Sequence, residues 1–257
     1  MCDYGKNMFD LSGKKAIVTG GGRGLGKGMA EGLLEFGADV VIIGRSDEIF
    51  RAAAEIDKAD GRAYAVKADL SSEKERAEAF RAATDILGGK LDILINNAGI
   101  QRRHNAEVFP KEDWDDVIEV NLTAVHGLCR MAGKMMLEAG GGKIINIASM
   151  MSFFGGYRVS AYAASKGGII QMTKALSNEW ASRGINVNAI APGYMDTEMN
   201  TALINDPDRN SKILARIPAG RWGTPCDMKG AAIFLCSHAS DYISGAVIPV
   251  DGGYLGA

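Results

Sequence analysis

The chain has 257 residues, of which 47% are hydrophobic and 23% charged, as is typical of one soluble globular domain. Its 29 basic and 31 acidic side chains give a formal charge of −2, which disfavours a nucleic-acid partner. Four scattered cysteines (Cys2, Cys129, Cys226 and Cys236) indicate neither a disulfide framework nor a zinc site, and we expect no bound metal. The N-terminus lacks an apolar signal core, and no apolar segment reaches the ~20 residues of a membrane helix. We therefore expect a cytoplasmic protein that binds neither nucleic acid nor membrane.

The first unit of the chain is a strand, a glycine turn and a helix. Residues 14–19 predict a short buried strand, and the sequence TGGGRGLG then leads into a segment with apolar residues at helical spacing. Gly20, Gly24 and Gly26 permit left-handed backbone angles and close approach to a pyrophosphate, and a helix N-terminus attracts phosphate. A glycine turn alone is weak evidence, but its place between strand and helix favours a dinucleotide site.

The second strand, residues 39–46, should end beside the adenosine ribose of that dinucleotide. The position where an Asp or Glu would bind the ribose hydroxyls is Gly44, and Arg45 and Ser46 follow it. Together with Arg23 in the glycine turn, these groups suit a 2′-phosphate, so we predict NADP(H) over NAD(H). The alternative is that Arg45 only caps a surface loop.

Helices and strands continue to alternate toward the middle of the chain. Ser46 lies near the N-cap of the next helix, and Asp69 ends the third strand within reach of an adenine amino group. Ser72 and Glu75 predict a capping box for a helix that runs to Leu87, and the fourth strand ends in NNAG. This alternation implies right-handed crossovers and a parallel sheet whose ligands lie at the carboxyl ends of its strands.

Two arginines, Arg102 and Arg103, follow the fourth strand and should lie over the same edge of the sheet. They are either solvated surface groups or the site that captures an anionic or polyhydroxylated substrate. Neighbouring residues of an extended loop point in opposite directions. We therefore assign Arg103 to the substrate and place Arg102 at the surface or against a neighbouring subunit.

Tyr162 and Lys166 are four residues apart and share one face of a predicted helix. An ammonium near a phenol lowers the phenol pKa from ~10, which would make Tyr162 a proton donor and acceptor near neutral pH. Ser149 ends an apolar run thirteen residues earlier and is placed to hydrogen-bond the same carbonyl oxygen. Asn121 lies in a long helical region, residues 114–138, where Asn is unfavourable, and we predict that it holds a relay water. The alternative for Tyr162 and Lys166 is a solvated helix face, but the small residues around them favour a flat ligand.

The C-terminal part of the chain should cover the site. Pro192 and Gly193 break the chain beside the predicted nicotinamide position, and Thr197 is placed to bind a carboxamide. Residues 194–222 form a polar, loosely patterned run that predicts a mobile lid. Trp222, at its end, either folds back on the pocket or simply packs.

With these residues assembled, the chain resembles the short-chain dehydrogenase/reductase family over nearly its full length. The matching pieces are TGGGRGLG, Asp69, NNAG, Asn121, Ser149, Tyr162-x-x-x-Lys166, PGxxxT and VDGG. The resemblance implies hydride transfer with a nicotinamide cofactor, an Asn-Ser-Tyr-Lys tetrad and a homotetramer. It also implies one α/β domain over residues 1–257: a Rossmann-type, doubly wound, parallel seven-stranded sheet in three α/β/α layers, with residues 14–100 as the main dinucleotide-binding half.

We predict three sets of site residues. The catalytic residues are Asn121, Ser149, Tyr162 and Lys166. The substrate, a small sugar acid, contacts Arg103, Ser149, Met151, Tyr162 and Trp222. The cofactor contacts Gly20, Gly22, Arg23, Gly24, Leu25, Gly26, Arg45, Ser46, Asp69, Leu70, Asn97, Ala98, Gly99, Tyr162, Lys166, Pro192, Gly193 and Thr197.

Longer segments resemble two branches of the family that act on six-carbon sugar acids. SFFGG and NEWA are similar to the 2-dehydro-3-deoxy-D-gluconate 5-dehydrogenases, whereas IQRRH and DTEMNTAL are similar to the gluconate 5-dehydrogenases. The GRS at the end of the second strand departs from NAD-preferring members of the first branch. We expect the first activity, with the second or another carbonyl reductase of the family as alternatives. A non-catalytic nicotinamide sensor is an alternative of another class, and it would need the glycine turn but not the tetrad.

Overall fold

A computed structural model describes residues 7–57 and 61–257, so Cys2 and the first residues examined for a signal lie outside the described chain. Within the described ranges, seven strands form one sheet in the order β3-β2-β1-β4-β5-β6-β7, and every neighbouring pair is parallel. The strands are β1 (Lys15–Thr19), β2 (Asp39–Gly44), β3 (Ala63–Lys67), β4 (Ile93–Asn96), β5 (Gly142–Ile147), β6 (Ile185–Pro192) and β7 (Val247–Val250). The predicted doubly wound, seven-stranded parallel sheet is confirmed.

Helices connect the strands and cover both faces of the sheet. They are α1 (Gly24–Glu35), α2 (Glu48–Ile56), α3 (Glu73–Ile86), α4 (Lys111–Ile118), α5 (Ala124–Ala139), α6 (Ser160–Trp180), α7 (Thr201–Ile204), α8 (Pro207–Leu214) and α9 (Pro225–Cys236). None of the helices in the described ranges is long and apolar enough to cross a bilayer.

Two apolar cores follow from the alternation of side chains along the strands. Ile17 of β1 faces the core formed with α3, α5 and α6. Its neighbours Ala16 and Val18 face the opposite core, formed with α1, α2 and α9. Because both faces are buried, the central strands are almost continuously apolar, which is why the sequence identifies them. This packing leaves the loops at the carboxyl edge of the sheet as the place for a site.

The helix starts near the nucleotide half agree only in part with the sequence patterns. Asp47, next to Ser46, is the N-cap of α2, and its side chain makes no capping hydrogen bond. Ser72 caps α3, since its hydroxyl accepts from the Glu75 amide at 3.3 Å. The reciprocal half of the predicted capping box is wrong: the Glu75 carboxylate accepts instead from the Asp69 amide at 2.9 Å. Glu75 therefore fixes the loop that follows β3, where the adenine was expected.

Candidate active site

The site begins where the strand order reverses, between β1 and β4, because the connections diverge there and open a crevice. The Thr19 hydroxyl accepts from the amides of Asn97 and Ala98, both at 3.0 Å. The Asn97 amide nitrogen donates to the carbonyl oxygens of Thr19 at 3.0 Å and Gly20 at 3.1 Å. These bonds fix the glycine turn to the end of β4.

The glycine turn has the geometry of a phosphate cradle. Gly20 and Gly24 have φ of +63° and +51°, and a Cβ on Gly26 would lie 2.3 Å from the Gly20 carbonyl oxygen. At the start of α1 no side chain caps the helix, and its first turn contains no acidic residue. The backbone amides at this helix end are therefore suited to an anion, which fits the phosphates of the predicted dinucleotide.

The other predicted cofactor residues also follow strand ends at the carboxyl edge of the sheet. Thr197 packs against the turn, since its methyl group would lie 3.5 Å from a Cβ on Gly24. The remaining positions are Gly22 and Leu25 after β1, Arg45 and Ser46 after β2, Asp69 and Leu70 after β3, Ala98 and Gly99 after β4, and Pro192 and Gly193 at the end of β6.

Charged side chains surround the expected adenosine position. Arg23 Nη1 pairs with Glu198 Oε2 at 2.5 Å, and Glu198 directly follows Thr197 in the loop after β6. Arg45 Nη1 lies 4.0 Å from Asp69 Oδ2. A hydrogen bond from the Ser71 amide lowers the pKa of Asp69, and the Arg45 charge adds to this effect, while desolvation opposes it. The sequence did not identify Glu198, because its partner is 175 residues away.

Ser149 is held by a local hydrogen-bond network after β5. Its hydroxyl accepts from the Met151 amide at 3.1 Å, at the start of a short 3₁₀ turn. The Ser152 hydroxyl accepts from the Ser149 amide at 3.3 Å and donates to the Lys166 carbonyl oxygen at 2.7 Å. Ser152 thus fixes Ser149 to α6, the helix that carries Tyr162.

Tyr162 and Lys166 come together on α6, but the pKa of the phenol differs from the expectation. Burial raises the pKa of Tyr162, although hydrogen bonding with Ser149 and the charge of Arg103 oppose the rise. Lys166 Nζ lies 5.8 Å from the ring centroid and donates to the Ile147 carbonyl oxygen at 2.5 Å, and burial lowers the pKa of Lys166 to about 8. The predicted net lowering of the Tyr162 pKa is wrong for this arrangement, because desolvation outweighs the groups that favour the phenolate.

Asn121 lies in a π-helical turn, Glu119–Thr123, that interrupts the predicted long helix between α4 and α5. Its fully buried side chain accepts from the Ile100 amide at 2.8 Å and donates to the Ile100 carbonyl oxygen at 2.9 Å and the Ser165 hydroxyl at 3.1 Å. Asn121 therefore clamps the loop after β4 to α6, and its role in a water relay stays a prediction. Such π turns recur at functional sites.

The two arginines after β4 have different surroundings. Arg102 Nε donates to Asp113 Oδ1 at 3.1 Å, so its charge is compensated by α4. Arg103 makes no ion pair with a described carboxylate, and its charge acts on Tyr162 and Tyr194. Of the pair, only Arg103 is thus placed to meet an anion beside the tyrosine.

An aromatic group closes the substrate side of the cleft. Tyr194 packs edge-on against Trp222 and Tyr254, with ring centroids 5.3 and 5.4 Å apart. Trp222 Nε1 donates to Asn210 Oδ1 of α8 at 2.8 Å, and Met151 packs on the same group. Trp222 therefore connects α8 to this aromatic group. Sequence patterns missed Tyr194 and Tyr254, which lie far apart in the chain.

These groups can deliver a proton to a carbonyl oxygen. A phenol with a raised pKa remains protonated at neutral pH, and Ser149 lies at hydrogen-bonding reach of the same region. Among residues 7–57 and 61–257, no group of three or more His, Cys, Asp or Glu side chains is arranged to hold a metal ion. The fold and the site together fit an oxidoreductase, and the glycine turn is the place expected for its hydride carrier.

Comparison with known proteins identifies the class. The family model described as enoyl-(acyl carrier protein) reductase matches residues 20–255, and the chain belongs to the short-chain dehydrogenase/reductase family. It is an NAD(P)-dependent oxidoreductase acting on CH–OH groups. The predicted family, enzyme class and nicotinamide cofactor are therefore confirmed.

Several similar proteins are named as sugar-acid dehydrogenases. The 2-dehydro-3-deoxy-D-gluconate 5-dehydrogenase of Dickeya dadantii is 48% identical over 253 residues, covering 97% of this chain and 98% of that protein. A crystal structure from Beutenbergia cavernae, provisionally named an NAD(P)-dependent gluconate 5-dehydrogenase and containing NADP at low occupancy, is 46% identical with a TM-score of 0.93. One from Agrobacterium tumefaciens, provisionally named a 2-deoxy-D-gluconate 3-dehydrogenase with bound NADP, is 47% identical with a TM-score of 0.91. Each structure covers 98% of this chain and is itself covered completely.

Proposed function

We propose that this enzyme transfers a hydride between a nicotinamide cofactor and a secondary alcohol or ketone of a six-carbon sugar acid. The first candidate is the 2-dehydro-3-deoxy-D-gluconate 5-dehydrogenase reaction, which the Dickeya dadantii relative is named for. The observation that carries the proposal is Arg103, a guanidinium without a described carboxylate partner whose charge acts on Tyr162. It supplies a paired, directional contact for a substrate carboxylate next to the proton donor.

The chain's own residues supply proton transfer and position, and the bound cofactor supplies the hydride. In reduction, Tyr162 donates its proton to the carbonyl oxygen, and its raised pKa keeps that proton available at neutral pH. Ser149 hydrogen-bonds the same oxygen and orients it. Lys166, with a pKa of about 8, is charged at neutral pH and would hold the nicotinamide ribose. Asn121 keeps the loop after β4 against α6.

Gluconate 5-dehydrogenase activity is the second candidate, supported by the name of the Beutenbergia cavernae structure. A panel of 2-keto-3-deoxygluconate, gluconate and 5-ketogluconate, each with both cofactors, separates the two candidates by turnover at the reduced-nicotinamide absorbance band. Tight cofactor binding without turnover of any sugar acid or polyol would favour a sensor instead. The assembled Asn121, Ser149, Tyr162 and Lys166 argue against a sensor, which needs none of them.

Arg103→Ala tests the assignment of the substrate class. Losing a charge-assisted hydrogen bond of ~1.5–3 kcal/mol should raise KM for the active sugar acid roughly ten- to hundredfold. KM for an uncharged polyol or ketose of the same length should change little, because that substrate has no carboxylate to pair. Steady-state kinetics on both substrates provide the measurement. Equal losses on both would show that Arg103 is structural, and the sugar-acid proposal would lose its main support.

For the cofactor we propose a preference for NADP(H). Gly44 places no carboxylate beside the ribose, and Arg23 and Arg45 flank the position of a 2′-phosphate. Glu198 weakens this support, since it already pairs with Arg23.

We also propose a cytoplasmic homotetramer, which rests on the family resemblance. Light scattering during gel filtration measures the number of subunits in the assembly.

A further inference from the structure

Arg103 has two arginine neighbours that the proposed reaction does not use, Arg158 and Arg209. The Arg158 carbonyl oxygen accepts from the His104 amide at 3.2 Å, which fixes Arg158 beside the loop that carries Arg103. Arg209 is in the first turn of α8, and its amide donates to the capping carboxylate of Asp206 at 3.1 Å. The charges of both arginines act on Arg103, so three basic side chains from separate segments lie near one another.

This cluster lacks the counter-charges found at other arginines of the protein. Arg102, Arg76 and Arg221 each pair with a carboxylate at 2.7 to 3.1 Å. Neither Arg158 nor Arg209 has a described carboxylate partner for its side chain. Partial burial, together with the charges of Arg209 and Arg158, lowers the pKa of Arg103. Arg158 and Arg209 are exposed, so solvent screens part of the repulsion among these like charges, and an anion between them would relieve the rest.

The backbone of Arg158 adds an independent observation. With φ of 62°, it is the one residue other than glycine with a positive φ in the described chain. This conformation is unfavourable for a residue with a side chain, and such strain tends to persist at functional sites. Arg158 also directly precedes Val159, the N-cap of the helix that carries Tyr162.

The α8 helix is held loosely enough to move. None of its residues is buried. Its attachments include hydrogen bonds of Asn210 with Trp222 and with the Ile204 carbonyl oxygen, and the partly buried side chains of Ile213 and Leu214. Segments with few buried contacts open at the lowest free-energy cost, and lids belong to this class. An anion bound between Arg103 and Arg209 would tie α8 to the body of the protein.

We infer that Arg158 and Arg209 complete, with Arg103, a pocket for the carboxylate of the substrate, and that filling this pocket closes α8 over the site. The inference rests on the proposed function and adds specificity residues to it, one of them on the lid. Guanidinium groups suit this role because each can bind a carboxylate through two parallel hydrogen bonds. The lid then closes preferentially on acids rather than on neutral sugars.

The kinetic test compares Arg158→Ala and Arg209→Ala with Lys212→Ala. Lys212 is an exposed cation on the same helix and serves as the matched control for loss of one positive charge. Each arginine variant should raise KM for the active sugar acid about tenfold, and the control less than twofold. For an uncharged polyol of the same length, all three should stay within twofold. Arg158→Gly, which removes the side chain and the backbone strain together, should match Arg158→Ala if the guanidinium is responsible.

The binding test uses gluconate with reduced cofactor, a combination that cannot react, and follows hydrogen exchange of residues 207–214. Gluconate should slow exchange in the wild type and in Lys212→Ala, but not in Arg209→Ala; glucitol, which lacks the carboxylate, should have no effect. If the arginine variants behave like the control, or lose activity equally on charged and neutral substrates, the carboxylate pocket is wrong. If the wild type turns over no sugar acid, the proposed function is wrong. The carboxylate pocket is then still tested by whether gluconate slows hydrogen exchange in α8.

Discussion

The two sides of the cleft recognise their ligands with different parts of the protein. On the cofactor side, between β1 and β4, contacts come from backbone amides and from glycines so enclosed that a Cβ on Gly26 would lie 2.3 Å from a carbonyl oxygen. On the proposed substrate side, the groups placed for contact are the side chains of Arg103, Ser149 and Tyr162 and the helix α8, which has no buried residue. The proposed cofactor site is thus built on the rigid core. The proposed substrate site combines fixed side chains, Ser149 and Tyr162, with the loosely packed helix α8.

Tyr162→Phe should have the largest effect on turnover while sparing the cofactor side. It removes one oxygen atom and with it the proton donor, so turnover should fall by about a thousandfold, given that proton transfer contributes ~10²–10⁴. Cofactor affinity, measured by fluorescence titration, should change less than threefold, because the glycine turn is untouched. Near-normal turnover in this variant would show that another group transfers the proton.

Gly26→Ala tests the rigidity of the cofactor side, with Gly155→Ala as the matched change on the substrate side. The new methyl group at position 26 would meet Gly20 and Asn97 at 2.3 and 2.4 Å, whereas one at position 155 meets no atom within 4 Å. We expect cofactor affinity to fall about a hundredfold in Gly26→Ala, with a stability loss of about 1–3 kcal/mol from overpacking. Gly155→Ala should be within twofold of the wild type in titration and within about 0.5 kcal/mol in thermal unfolding. Similar behaviour of the two variants would contradict the contrast between the sides.

Gly44→Asp should shift the preference toward NAD(H) by roughly tenfold in kcat/KM, because a carboxylate repels a 2′-phosphate and accepts from the ribose hydroxyls. A Cβ at this position would lie 3.0 Å from the end of the Ile49 side chain, so some repacking accompanies any substitution. Gly44→Ala controls for that repacking and should leave the ratio between the cofactors unchanged. A wild type that already prefers NAD(H) tenfold would remove the basis for the proposed role of Arg45.

The pH dependence should differ between the two reaction directions. Since the pKa of Tyr162 is raised, the phenol is protonated at neutral pH; reduction, which needs the proton, should be nearly constant from pH 6 to 7.5. Oxidation needs the phenolate, whose fraction grows as pH rises toward the pKa, so its rate should increase about threefold per half unit of pH. Profiles of kcat/KM in both directions measure this. Parallel profiles would show that a group other than Tyr162 controls the proton.

Features that depend on local sequence could be predicted, whereas features that depend on packing between distant segments could not. The sheet, the glycine turn and the strand-end positions of Asn97 and Ser149 were predictable, because apolar runs and glycines specify local structure. The raised pKa of Tyr162 was not, since it depends on burial by segments distant in the chain. The pair of Arg23 with Glu198 and the π turn around Asn121 likewise result from tertiary packing, and neither leaves a short-range pattern.

The Ser152 hydroxyl described above joins the Ser149 amide to the Lys166 carbonyl oxygen through one side chain. This side chain therefore links the proposed catalytic serine directly to α6, in addition to the chain between them, residues 153–159. That segment contains exposed Phe153 and Tyr157 and the strained Arg158. We expect its exposed positions to accept substitutions while this hydrogen-bonded link stays in place. Such substitutions should therefore alter substrate range more than they alter proton transfer.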